Sequence, residues 1–77
     1  MSYDNPVLRL PTYERLRDEI DRLPAPAAAA FIRCLEDLGR DADVKAEESW
    51  SRRKGPMAAY WRAVGVYARH FARAVRT

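Results

Sequence analysis

From position 13 onward the large apolar side chains recur at helical spacing. Tyr13, Leu16, Ile20 and Leu23 follow one another at intervals of three and four, which places them on one face of a helix. The opposite face carries Arg15 with Glu19, Arg17 with Asp21 and Asp18 with Arg22, each at i,i+4, as a solvated surface would. Thr12 after Pro11 is a suitable N-cap, so the pattern predicts a helix over about 13–23. Pro24-Ala25-Pro26 ends it, and Pro26 can serve as the first residue of the next. There Ala28, Phe31, Leu35 and Leu38 form a stripe with Ile32 beside it, and Gly39 reads as the residue just past a helix over about 26–38.

A third segment, about 42–54, can be capped by Asp41 or Asp43 but has only a thin apolar face of Val44, Ala46 and Trp50. Gly55-Pro56 stops it and starts a fourth, over about 57–76, which can run about 30 Å as one helix. Residues 1–11 show no period; Pro6 and Pro11 constrain them, and Val7, Leu8 and Leu10 are expected to lie as an extended arm over the helices. No strand pattern of useful length occurs. The expectation is an all-α fold, a small three- or four-helix bundle in a single domain over 1–77, with a long C-terminal helix and an extended N-terminal arm.

The fourth helix is the most informative. On a wheel with Arg62 at the origin, Tyr60, Val64, Tyr67, Phe71 and Val75 fall between about 140° and 220°, and are expected to face the core. Trp61, Gly65, Ala68 and Ala72 flank them, and their mostly small side chains would let a second helix approach closely. Arg62, Arg69, Arg73 and Arg76 fall within about 60° of one another on the remaining face, over about 21 Å of axis.

Charge sharpens this picture. Residues 51–77 carry seven basic side chains and no acid, a formal +7; residues 1–50 carry seven basics against eleven acids, a formal −4. Segregation of this kind points to an anionic partner. Three uses of the arginine row compete. It can be a solvated face paired with acids such as Asp41, Asp43, Glu47 and Glu48, an electropositive ridge for phosphates or an acidic protein surface, or, least favoured, a membrane-surface helix. The ridge is preferred, because like charges at i,i+3 and i,i+4 repel and this helix has no acid of its own. A helix-turn-helix fits poorly around both Gly39 and Gly65, since Lys45 and Trp61 fall on positions that the motif reserves for other residue types. One continuous helix with an interior Gly65 is the simpler account, and would leave Gly65→Ala neutral or stabilising by up to about 1 kcal/mol.

Arg52, Arg53 and Lys54 form a second basic site, which could equally satisfy the C-terminal dipole of the third helix. Trp50 and Trp61 belong to the residue types that dominate binding hot spots, although core packing is the first expectation for each.

Catalysis finds little support. Cys34 and His70 are each the only residue of their kind and fall on different helices; Cys34 is expected to be an inert core thiol. The acids at 41–48 lack the spacing and glycine of a calcium loop, and neither a glycine-rich phosphate loop nor a metal-ligand spacing occurs. No cofactor and no metal is expected. A 77-residue chain buries only about 60% of its unfolded surface, so its stability is modest or comes partly from a partner, and a homo-oligomer fits that need. A lone cysteine, no leader-like start and no run of 18 apolar residues suit a cytoplasmic protein with no membrane partner. The expected function is a small non-enzymatic binding protein, a regulator or inhibitor, that docks its Arg-rich C-terminal helix on an acidic protein surface. A basic accessory DNA-binding protein using the same helix is the runner-up. The residues expected to meet the partner are Arg62, Arg69, Arg73, Arg76, Trp61, Arg52, Arg53 and Lys54.

Overall fold

A computed structural model describes residues 5–76. A 3₁₀ turn, Pro6–Arg9, leads into α1 (Pro11–Asp21), α2 (Ala25–Ser51) and α3 (Gly55–Arg76), and no strand is present among the described residues. The fold is all-α, as the periodicity predicts. Its backbone is an antiparallel hairpin of α2 and α3, with α1 and the 3₁₀ turn laid against α3.

Two expected helices are one. The segments read as 26–38 and 42–54 join into α2, because Gly39 does not terminate anything: no glycine in the described chain has positive φ. A glycine inside a helix costs about 1 kcal/mol relative to alanine, so Gly39 must return something. It returns proximity. A Cβ on Gly39 would lie 3.5 Å from the Gly65 carbonyl oxygen, and one on Gly65 would lie 3.3 Å from the Gly39 carbonyl oxygen. The two glycines face each other across the hairpin and bring its backbones together.

The core follows from that approach. Gly39, Ala42 and Ala46 on α2 are buried against Ala58, Gly65, Ala68, Ala72 and Val75 on α3, at the alternating three- and four-residue spacing of a coiled-coil seam. The expected core stripes are therefore displaced. Tyr60 and Tyr67 are 56% and 53% exposed, Phe31 and Leu38 are 39% and 44% exposed, and only Val75 of the α3 stripe is buried. Small side chains prevailed over large ones here because they permit the closer backbone contact, and each helix turns its glycine-alanine strip inward. Cys34, expected in the core, is exposed for the same reason.

The N-terminal segment is also corrected. Residues 1–4 of the expected arm lie outside the described residues, and Pro6–Arg9 form a 3₁₀ turn, leaving only Asn5 and Leu10 on either side of it extended. The buried Asn5 side chain accepts a hydrogen bond from the Val7 N–H at 3.1 Å and donates one to the His70 carbonyl at 2.7 Å. It thus caps the 3₁₀ turn and ties it to α3, while Val7 is fully buried. Pro11 opens α1 directly, with Leu10 rather than Thr12 at the cap position and no side-chain cap bond. Arg17 reaches from α1 to the Ala74 carbonyl at the far end of α3 at 3.3 Å.

Candidate functional site

The α3 arginine row lies beside α2, and the antiparallel register sets an acid against most of it. Arg69 pairs with Asp43 at 2.8 Å and also approaches the Gly39 carbonyl at 3.4 Å. Arg62 lies 3.9 Å from Glu47, and Arg76 pairs with Glu36. Arg73 is not free either. As the α3 numbers fall the α2 numbers rise, so these pairs lie along one flank of the hairpin. Their side chains are about half exposed, and such surface pairs are each worth roughly 1 kcal/mol or less. Acids contributed by α2 thus offset the repulsion within the row. At its C-terminal end, Arg69, Arg73 and Arg76 join Arg40 and Glu36 around a groove of about 270 Å³. Arg40 in turn pairs with Asp37.

The second basic site is built differently. α2 ends in a Schellman-type turn: the Lys54 N–H donates to the Ser49 carbonyl at 2.8 Å and the Arg53 N–H to the Trp50 carbonyl at 3.0 Å. The residue that must adopt left-handed geometry is Arg53, at φ 59°, the one non-glycine with positive φ among the described residues. Glycine is the usual occupant, and another residue there costs about 1 kcal/mol or more. Arg52, Arg53 and Lys54 are exposed, and among the described residues none of the three has an ion pair. The nearest acids are already engaged, Glu48 by Lys45 and Glu47 by Arg62.

Both tryptophans belong to this end of the molecule. Trp50 is 67% exposed and borders an open depression with Ser51, Arg53 and Gly55, so it is not a core residue. It occupies the last turn of α2, beyond the reach of the tight seam. Trp61 is half-buried, packs edge-to-face on Tyr60 with centroids 5.1 Å apart, and lines a groove of about 180 Å³ with Arg52, Lys54 and Met57. The structure therefore gathers Trp61, Arg52, Arg53 and Lys54 at the hairpin tip with Trp50, and distributes Arg62, Arg69, Arg73 and Arg76 along the flank away from it. Trp50, weighed as a hot-spot type but expected in the core and left out of the expected contact set, is exposed because it falls in the last turn before Gly55-Pro56.

Neither helix breaks where a helix-turn-helix would require it, at Gly39 or at Gly65. Among the described residues no three His, Cys, Asp or Glu side chains converge on a point that could hold a metal ion, and no helix is long and apolar enough to cross a membrane. No protein-family model matches the sequence, and neither a curated protein nor a solved structure matches it.

Proposed function

We propose that the chain is a small non-enzymatic binding protein, a regulator or inhibitor, whose hairpin tip docks on an acidic surface of a protein target. One observation carries this reading. Of the seven cations in the basic segment, Arg52, Arg53 and Lys54 alone lack an acid or other polar partner among the described residues, and they stand beside an exposed Trp50. Guanidinium forks match carboxylates, and an exposed tryptophan supplies the apolar anchor that protein interfaces favour. The runner-up, DNA binding through the α3 row, would require Arg62, Arg69 and Arg76 to surrender Glu47, Asp43 and Glu36, and so has less support.

The test compares an Arg52→Glu/Arg53→Glu/Lys54→Glu variant with an Arg62, Arg69, Arg73, Arg76 quadruple alanine variant. Each is immobilised to capture proteins from a cell extract and titrated with random duplex DNA. The tip variant is expected to lose the proteins that the native chain retains, while the row variant keeps them. Trp50→Ala should weaken the interaction by about 2 kcal/mol, roughly 30-fold. Unchanged capture by the tip variant would remove the tip as the site. DNA binding by the native chain with a log–log salt slope near about −3.6, falling by about 1 for each arginine removed from the row, would establish the runner-up instead.

A further inference from the structure

We infer that two copies of this chain associate through the apolar flank of the hairpin to form a four-helix bundle. The inference is independent of the hairpin tip and begins from what the single chain fails to bury. Its buried apolar residues are Val7, Ile20, Val75 and alanines, and Val7 is the largest fully buried side chain among the described residues. Among the described residues no leucine, phenylalanine, tyrosine, tryptophan or methionine is buried, yet those residue types carry most of the energy of a small core.

They are also arranged. With Gly39 at the origin of the α2 wheel, Asp43 and Glu36 lie at about +40° to +60° and Phe31, Leu35 and Leu38 at about −40° to −100°. With Gly65 at the origin of α3, Arg62 and Arg69 lie at about +40° to +60° and Val64, Phe71 and Tyr60 at about −100° to −140°. In an antiparallel pair, flanks of the same sense meet on the same side, as the Arg69–Asp43 and Arg62–Glu47 pairs show for the positive one. The negative flanks therefore share the other side. There Phe31, Leu38 and Tyr60 are exposed and Leu35, Val64 and Phe71 half-buried, a two-helix apolar face along the hairpin.

Area and charge identify the occupant. A monomer of 8.9 kDa is expected to expose about 4,800 Å². This one exposes 5876 Å². The chain as a whole thus leaves about 1,000 Å² more in water than a compact monomer of its mass, part of it from its 43 × 27 × 24 Å shape, and a stable interface takes roughly 800 Å² from each partner. The α3 side of the face holds no charge at all, and the α2 side only Asp41 and Lys45 at its margin, opposite in sign. A surface with no net charge offers nothing to an acidic or a basic partner, but two copies can meet on it without like-charge contact. A two-fold pairing, the commonest form of self-association, places the same leucines and aromatics on both sides of the new core.

Sedimentation equilibrium and thermal unfolding of the full chain test this over a hundredfold range of concentration. The native chain is expected at twice 8.9 kDa, with a Tm that rises with concentration. Leu38→Glu/Tyr60→Glu should give a monomer that stays helical, because both side chains are already about half exposed. Cys34, exposed and one turn from both Phe31 and Leu38, provides a second readout. Its reaction with a disulfide reagent should slow at least tenfold as the native chain is concentrated, and stay fast in the variant. If the variant does not fold, the native chain decides the matter. A mass of one chain at every concentration with a concentration-independent Tm overturns the proposal, as does a dimer that survives both substitutions.

Discussion

The seam of the hairpin and its tip use glycine and arginine in opposite ways. At the seam, Gly39 and Gly65 have ordinary helical backbones and are small only so that α2 and α3 can touch. At the tip, where the backbone turns left-handed and glycine would relieve strain, Arg53 stands instead, and Gly55 nearby has no positive φ. The seam is thus arranged for stability at the expense of helix propensity, whereas the tip gives up stability and gains a cation. Residues held in costly conformations tend to gather at functional positions, which makes this contrast consistent with a binding role for the tip.

The comparison breaks most sharply at Gly65. A Cβ there would stand 3.0 Å from Asp43 Oδ1 and 3.3 Å from the Gly39 carbonyl oxygen. The carboxylate can swing away, but the carbonyl belongs to helix backbone and can yield only if the hairpin opens. Gly65→Val adds two further methyl groups at this point and should cost about 3 kcal/mol, the upper range for overpacking. The gain in helix propensity over glycine offsets only a few tenths of that. Gly65→Ala should also lose stability, by a smaller amount, which reverses what a lone interior glycine implies. Urea midpoints at one fixed protein concentration measure both. A Gly65→Val variant as stable as the native chain would mean that the seam is not close-packed.

Much of this fold was legible in the residue pattern. The 3.6-residue period placed helices at every major segment, and Pro24-Ala25-Pro26 and Gly55-Pro56 marked both true breaks. What misled was the weight given to large side chains. Tyr60, Tyr67, Phe31 and Leu38 read as core because they are apolar and periodic, while Gly39, Ala42, Ala46, Ala58, Gly65, Ala68 and Ala72 contribute little to a hydrophobicity pattern. Yet these small residues also follow a seam spacing, and on α2 theirs runs through Gly39 to Ala42 and Ala46 without a break; noticing it would have joined 26–38 to 42–54. The basic site was partly legible: its seven cations could be counted, but which of them meet acids depends on the α2–α3 register, and that is fixed by contacts distant in sequence.

The tip offers a gain where the seam offers a loss. Arg53→Gly removes the Cβ that makes φ 59° costly and should raise stability by roughly 0.5–1 kcal/mol, the strain relief being reduced by the freedom glycine gains on unfolding. The same change deletes one of three unpaired cations. Stability up and target binding down in a single variant would separate the two roles of this residue. If Arg53→Gly binds the captured protein as well as the native chain, the arginine is not part of the contact and its strain has no explanation in binding.

The smallest effect is expected at Gly39, and it tests whether the two seam glycines are equivalent. A Cβ on Gly39 would lie 3.0 Å from Cγ and 3.3 Å from Nη1 of Arg69, both on a long flexible side chain, and at an ordinary 3.5 Å from the Gly65 carbonyl oxygen. Here the obstacle can move. Arg69 would give up its approach to the Gly39 carbonyl and strain its pair with Asp43, a surface interaction worth roughly 1 kcal/mol or less. Alanine in a helix interior returns about 1 kcal/mol. The two nearly cancel, so Gly39→Ala should change stability by no more than about 0.5 kcal/mol. Adding Arg69→Ala to Gly39→Ala should cost less than Arg69→Ala does alone, because the crowding disappears with the side chain. A loss at Gly39 as large as that at Gly65 would show that the backbones, not Arg69, limit the approach on both sides of the seam.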